Sequence, residues 1–334
     1  MRQPLVGLVI AGLVLLGLAC SALTACIASW TGQDVAWAAA PLGLFTAALG
    51  LLWIATRFRA RPREPAAARP CYLVVGPAKA GKTSLLQQLG ELVPAPLRPS
   101  ARQQLPAWDV WQTSTATWLD THSDEAMWPE LLERLRAEPN PTQLVALLAT
   151  VSTSHILNTA PRELALIAAR LRAQLTDVCR ELGVGLPVYL LCTKCDLLTG
   201  FTALFAGLTA SERAQTLGFV LPLEPASVGS DFTCHFDQLA ESVRRAAWVR
   251  IGAARGLHER TQAYAFPQQF RGMRAPLSLL IEHIFEPNVR GPTPSLRGVY
   301  FLSSARSAGS AYFVRDLFAH TIRREAKPRQ RPRV

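Results

Sequence analysis

Cys71-Tyr72-Leu73-Val74-Val75-Gly76-Pro77-Ala78-Lys79-Ala80-Gly81-Lys82-Thr83-Ser84 is the stretch whose reading decides the fold. Its first five residues form a short uncharged run that Gly76 ends, the pattern of a buried strand. Residues 82–89 read as a helix. Between them, Gly76 to Thr83 match G-x-x-x-x-G-K-[ST]. The glycines let the backbone wrap closely around an anion, and exposed N–H groups at a helix N-terminus attract negative charge. Lys82 then reaches the β and γ phosphates of a nucleotide, and the Thr83 hydroxyl ligates Mg²⁺. Gly76, Pro77, Ala78, Lys79, Ala80, Gly81, Lys82, Thr83 and Ser84 are therefore the expected phosphate-binding residues of a P-loop.

Working outward, further strands are expected at residues 116–120, 143–149, 186–192 and 298–302. Leu164, Ile167, Ala168, Leu171, Leu175 and Val178 fall at helical spacing between the third and fourth strands. Pro161 suits the first turn of that helix and Gly183 its stop. Strands alternating with helices indicate an α/β fold: a P-loop NTPase-like, doubly wound, mostly parallel sheet. From residue 201 the pattern changes. Phe236, Leu239, Val243, Ala247, Ile251, Ala254 and Leu257 lie near helical spacing, which indicates a helical insert over 201–295. The expected P-loop domain thus covers 71–200 and 296–325.

Thr193-Lys194-Cys195-Asp196 fits [NT]-K-x-D, about 110 residues after the P-loop and at the end of a strand. The Asp196 carboxylate can accept two hydrogen bonds from guanine N1 and N2, which adenine cannot supply, and the Lys194 stem covers the ring. Ser303-Ser304-Ala305-Arg306 resembles the S-A-[KR] loop that closes over the base. The expected guanine-binding residues are Thr193, Lys194, Asp196, Ser304 and Ala305, and the ligand is GTP or GDP with Mg²⁺. Lysine usage agrees. The chain has 31 Arg and only four Lys, and three of the four, Lys79, Lys82 and Lys194, lie in these two motifs. Where Arg is the default, a retained Lys indicates a need for a compact ammonium.

Trp118-Leu119-Asp120-Thr121 looks like the start of D-T-A-G, in which the Asp acts through water on Mg²⁺. Thr83 and Asp120 are therefore the expected metal residues. The run continues His122-Ser123, so Ser123 stands where the γ-phosphate glycine would be, and no Gln follows to orient water. No switch-I threonine is assigned between residues 93 and 111. Binding is expected and hydrolysis weak or absent, because turnover depends on positioning and charge stabilisation.

Residues 5–30 and 35–56 carry no charge. A hydrocarbon core of ~30 Å needs ~20 apolar residues, so each run is long enough to span. Only Thr31-Gly32-Gln33-Asp34 separates them, while Arg57, Arg59, Arg61 and Arg63 follow the second, so both termini are expected in the cytoplasm. The expected organisation is an anchor over 1–60, a Pro/Ala/Arg linker over 61–70 and a basic disordered tail over 326–334. Leu23-Thr24-Ala25-Cys26 is the rival signal, a lipoprotein cleavage box. The net charge of +11 is concentrated beside the membrane run and in the tail, which points to a membrane surface rather than nucleic acid. Cys192 and Cys195 form a C-x-x-C without the second pair a zinc site needs. They read as a strand-end Cys and a Cys inside the nucleotide motif, with a redox pair as the alternative.

With these residues in place, the chain resembles the IcmF/TssM family, the inner-membrane subunit of bacterial type VI secretion systems. The resemblance runs from the paired N-terminal runs through Cys71–Gly76, Leu186-Pro187-Val188-Tyr189, Thr193-Lys194-Cys195-Asp196-Leu197-Leu198-Thr199-Gly200-Phe201 and Glu212-Arg213. It continues through Tyr264-Ala265-Phe266-Pro267-Gln268-Gln269-Phe270, Leu296-Arg297-Gly298-Val299-Tyr300-Phe301 and residues 312–318. It implies a scaffold or assembly subunit of the bacterial inner membrane, joined by a partner inner-membrane subunit, and allows a homo-oligomer. Family members add a third span and a periplasmic region that reaches an outer-membrane lipoprotein. This chain stops at Val334, so that contact is not expected of it. The second reading is an independent membrane-tethered GTPase switch, which differs from a scaffold in needing turnover.

Overall fold

The structure is a computed structural model that describes residues 70–92, 108–113, 116–121, 127–137, 144–222, 227–254, 256–286, 291–304 and 311–322. The chain divides into two units, Met1–Ala68 and Arg69–Val334, and every described residue lies in the second. The two expected spans, the linker up to residue 69, His122, Ser123, Ala305 and the basic tail lie outside the described residues. Among the described residues, no helix is long and apolar enough to cross a membrane.

The elements are β1 (Cys71–Val75), α1 (Lys82–Leu92), β2 (Trp108–Gln112), β3 (Thr117–Thr121), α2 (Trp128–Ala137), β4 (Leu144–Ser152), α3 (Thr153–Asn158), α4 (Pro161–Leu182), β5 (Pro187–Thr193), α5 (Phe201–Phe205), α6 (Ala210–Ala214), β6 (Gly218–Val220), α7 (Val228–Ala253), α8 (Leu257–Gly272), α9 (Arg274–Ile284) and β7 (Ser295–Phe301), followed by a π-helical turn at Leu317–Ile322. The sheet order is β2-β3-β1-β4-β5-β7-β6. β3, β1, β4, β5 and β7 are parallel, while β2 and β6 close the two edges antiparallel to β3 and β7.

Alternation along the strands builds two cores. Leu73, Val75, Leu147, Ala149, Val188 and Leu190 face one side, against α4 and the helices α7 to α9. Tyr72, Val74, Leu148, Tyr189, Leu191 and Tyr300 face the other, where Leu85 and Leu86 of α1 and Leu317 and Ile322 cover them. All nine residues of β4 are buried, so the strand reads as a continuous apolar run rather than an alternating one. α4 has the expected bounds. Pro161 occupies its first turn, where the missing N–H costs nothing. Gly183 is left-handed (φ 67°, ψ 19°), and the Val184 N–H returns to the Cys179 carbonyl at 3.2 Å, the six-to-one bond of a Schellman stop.

Three features differ from the sequence reading. β2 was not expected; its residues gain their partners from β3, with Asp109 opposite Asp120. Among its described residues, region 201–295 holds five helices but also β6, which extends the sheet through Gly218↔Tyr300 and Val220↔Gly298. The apolar spacing from Phe236 to Leu257 is divided between two helices. The backbone turns extended at Ala254, and Leu257 opens α8 at 82% exposure, whereas Phe236, Val243 and Ala247 are core.

Candidate nucleotide-binding site

β1 lies between β3 and β4, so the chain leaves it to one side and later resumes on the other. Ligands of open α/β sheets bind in the crevice beyond the strand C-termini at such a reversal. The turn Gly76–Gly81 occupies that place. It stays close to β4: the Thr150 hydroxyl donates to the Val75 carbonyl at 3.1 Å, and a Cβ on Gly76 would collide with Thr150 Oγ1 and its carbonyl oxygen. Gly81 has φ +88°, a left-handed conformation that a side chain strains. The Leu85 N–H then bonds the Gly81 carbonyl at 3.0 Å as α1 begins.

Lys82 is buried at 7% exposure, and its Nζ donates to the Gly76 and Pro77 carbonyls at 2.7 and 3.1 Å. Burial pulls its pKa below the usual lysine value, against the opposing attraction of Asp120. Asp120, 1% exposed near the end of β3, accepts a hydrogen bond from the Thr83 hydroxyl at 2.6 Å. The next residue is tied down as well, because the Thr121 hydroxyl donates to the Val74 carbonyl at 2.8 Å.

The second motif comes to the same crevice from β5. The Thr193 hydroxyl donates to the Ala80 carbonyl within the P-loop, joining residues 113 positions apart, and also to Val151 O at 3.2 Å. Lys194 is left-handed (φ 60°), and its carbonyl accepts from the Thr153 hydroxyl at 3.0 Å. Lys79 (φ 61°) and Lys194 are two of the three described non-glycine residues with positive φ. Such conformations cost free energy and cluster at functional sites. Asp196 lies in a one-step 3₁₀ turn, Cys195–Leu197, and Ser303 Oγ donates to its Oδ1.

Six of the expected phosphate-binding residues and Lys194 share one cleft of about 290 Å³, lined by Lys79, Ala80, Gly81, Lys82, Thr83, Ser84, Thr121 and Lys194; Asp120, Thr193, Asp196 and Ser304 do not line it. Gly76, Pro77 and Ala78 line a neighbouring cleft of about 160 Å³ against Ile167, Arg170, Leu171 and Gln174 of α4. Ser304 is buried three residues beyond β7. Sequence reasoning missed Ser303, Thr150 and Thr153. Ser303 stood inside the quoted loop, yet two adjacent serines give no local signal of which one meets Asp196. Cys192 and Cys195 are free and fully buried, and burial pushes both thiols up, so neither is a ready nucleophile. Among the described residues no cluster of His, Cys, Asp and Glu could hold a metal ion.

The fold and the turn after β1 define the class: a mixed α/β domain with a mostly parallel seven-stranded sheet and a P-loop sequence between β1 and α1. The family model of the IcmF-related N-terminal domain matches residues 121–310, and the chain belongs to that family. It is 30% identical to the type VI secretion system component TssM1 of Pseudomonas aeruginosa, an alignment over 71% of this chain and 23% of that protein. The chain therefore spans about a quarter of that relative's length. Among solved structures it is similar to the signal recognition particle receptor SRb of Chaetomium thermophilum with GDP and Mg, at 19% identity and TM-score 0.29 over 43% of this chain and 67% of that one. It is also similar to the GDP form of the same receptor, at 18% identity and TM-score 0.29 over 53% and 76%.

Proposed function

We propose that this chain is a membrane-anchored, guanine-nucleotide-binding scaffold or assembly subunit of a type VI secretion complex, with its nucleotide site in the cytoplasm. The observation that carries the nucleotide reading is the pairing of Thr83 with Asp120 at 2.6 Å, beside a buried Lys82 held by the carbonyls of its own loop. A hydroxyl and a carboxylate at that spacing suit a hard divalent cation with oxygen ligands, such as Mg²⁺. Lys82, Thr83 and the backbone of Gly76–Ser84 would hold the phosphates. Thr193, Lys194 and Asp196, together with Ser304 and Ala305, would hold the base. The secretion role is supported by family membership and by the name of the TssM1 relative. The anchor rests on the uncharged runs 5–30 and 35–56. An inner-membrane partner subunit follows from the family reading.

The test is binding of GTP, GDP and ATP by the full-length chain in detergent, measured calorimetrically with Mg²⁺. Guanine nucleotides should bind selectively, and Asp196→Asn should weaken them roughly a hundredfold, since one of the two acceptor oxygens becomes an NH2 donor facing a guanine donor and the charge is lost. Equal affinity for ATP and GTP would overturn the guanine reading.

One observation favours the switch as a second reading. Arg170 and Gln174 of α4 share a cleft with Gly76, Pro77 and Ala78. An arginine beside the γ-phosphate accelerates phosphoryl transfer elsewhere by roughly 10³–10⁵. Brisk GTP hydrolysis that falls in Arg170→Ala, with GTP affinity unchanged, would move the assignment from scaffold to switch. Turnover no faster than that of a slow intrinsic GTPase supports the scaffold.

A further inference from the structure

The run Tyr264–Phe270 in α8 lines neither cleft at the P-loop. Phe266 and Phe270 are fully buried, and they join an aromatic cluster with Phe201, Phe205, Phe236 and Phe301. A second set of contacts reaches toward the guanine motif. Gln269 Oε1 accepts the Thr199 N–H at 2.8 Å. Gly200 (φ +84°) lies so close to the Gln262 carbonyl that a Cβ would collide with it. Phe201 packs edge-on against Phe266, with ring centroids 5.7 Å apart. Positions 262, 266 and 269 share one stripe of a helix, so a single face of α8 holds three successive residues, Thr199 and Gly200 of the loop and Phe201 at the start of α5.

That loop is the exit of the turn carrying Asp196. Its entry is secured by the residue after β7 and the first residue of α3: the Cys195 N–H bonds the Leu302 carbonyl at 3.2 Å, and Thr153 holds the Lys194 carbonyl. The turn itself is one 3₁₀ step, closed by the Leu198 N–H on the Cys195 carbonyl at 3.0 Å. A helical piece that short has poor hydrogen-bond geometry and depends on what flanks it. Directly after it, the Thr199 N–H is met by Gln269.

We propose that Gln269 is a positioning residue for guanine recognition: by holding the Thr199 N–H it sets the exit of the turn that aims the Asp196 carboxylate, so base selectivity depends on α8. The proposal rests on the nucleotide reading above. A carboxylate aimed along the guanine edge meets both N1–H and the N2 amino group, whereas inosine lacks that amino group and offers one bond. Misaiming Asp196 therefore reduces the preference for GDP over IDP. General loosening of the domain weakens both alike.

The experiment is displacement of mant-GDP from the full-length chain in detergent by GDP, IDP and pyrophosphate. In Gln269→Leu the GDP affinity should fall roughly three- to tenfold, the scale of one lost hydrogen bond. The GDP-to-IDP preference should fall with it, and pyrophosphate affinity should hold. Gln269→Glu keeps an acceptor oxygen and should restore the preference. An unchanged GDP-to-IDP ratio in Gln269→Leu, or an equal loss for all three competitors, overturns the proposal. If Gln269→Leu melts before it can be measured, Gln269→Ala is judged by the same ratios. A wild-type chain that binds no mant-GDP overturns the nucleotide reading itself, which is a separate failure.

Discussion

The Thr83 hydroxyl donates to the Asp120 carboxylate across 2.6 Å, joining the first turn of α1 to the end of β3. In the nucleotide reading these two oxygens are where Mg²⁺ acts. Thr83→Ala and Asp120→Ala should each reduce the Mg²⁺-dependent part of GTP affinity by roughly tenfold or more, with binding in EDTA little changed. Calorimetric titration with and without Mg²⁺ checks this. An equal loss under both conditions would show that the pair serves only the fold.

Lys82→Met should abolish nucleotide binding without lowering the melting temperature at neutral pH. The substitution keeps the length of the side chain and removes a charge whose burial is unfavourable. The sign of the pH effect follows from the lowered Lys82 pKa. Between that value and the ordinary 10.5, the unfolded chain binds more protons than the folded one, so wild-type stability rises with pH through this window and is flat below it at this site. Any stability advantage of Lys82→Met should therefore shrink as pH rises toward 10.5. A variant several degrees less stable at neutral pH would mean that the bonds from Nζ to Gly76 and Pro77 outweigh the burial cost.

Gly200→Ala should destabilise the domain by about 2–4 kcal/mol, combining a left-handed residue with a collision against the Gln262 carbonyl. Thermal or urea unfolding measures it. Gly252→Ala in α7, where a Cβ meets nothing within 4 Å, is the control and should be neutral or slightly stabilising.

Both termini are proposed to be cytoplasmic, from four arginines after the second uncharged run and no Lys or Arg between the two runs. With the exposed Cys234 replaced, a membrane-impermeant maleimide applied to intact cells should label a cysteine placed at Gln33 and not one placed at Ser310. Labelling at Ser310 would reverse the orientation.

Local patterns carried much of the domain. The strand–turn–helix from 71, its helix read to 89 and observed to Leu92, and the Pro161–Leu182 helix were legible because strand and helix periods, capping proline and stop glycine act over a few residues. The central strand β4 was found but drawn short, since a fully buried strand lacks the alternation that marks its ends. The edge strands left no such trace. Trp108–Gln112 and Gly218–Val220 are strands because β3 and β7 offer them unpaired backbone groups.

For the candidate site the division is similar. Sequence alone determined the chemistry on offer: a lysine and a threonine after a glycine-framed turn, an aspartate after Thr193-Lys194, and an aspartate at the end of β3. Only the tertiary structure decided what touches what. It bonds Thr193 to the Ala80 carbonyl, sets Asp120 on Thr83, chooses Ser303 over Ser304 as the partner of Asp196, and brings Gln269 to Thr199 across 70 positions of chain. A local pattern cannot encode such pairs. They are set by the order in which strands enter the sheet and by the packing of α8 against the aromatic core, where register shifts of one residue exchange which side chain faces the cleft.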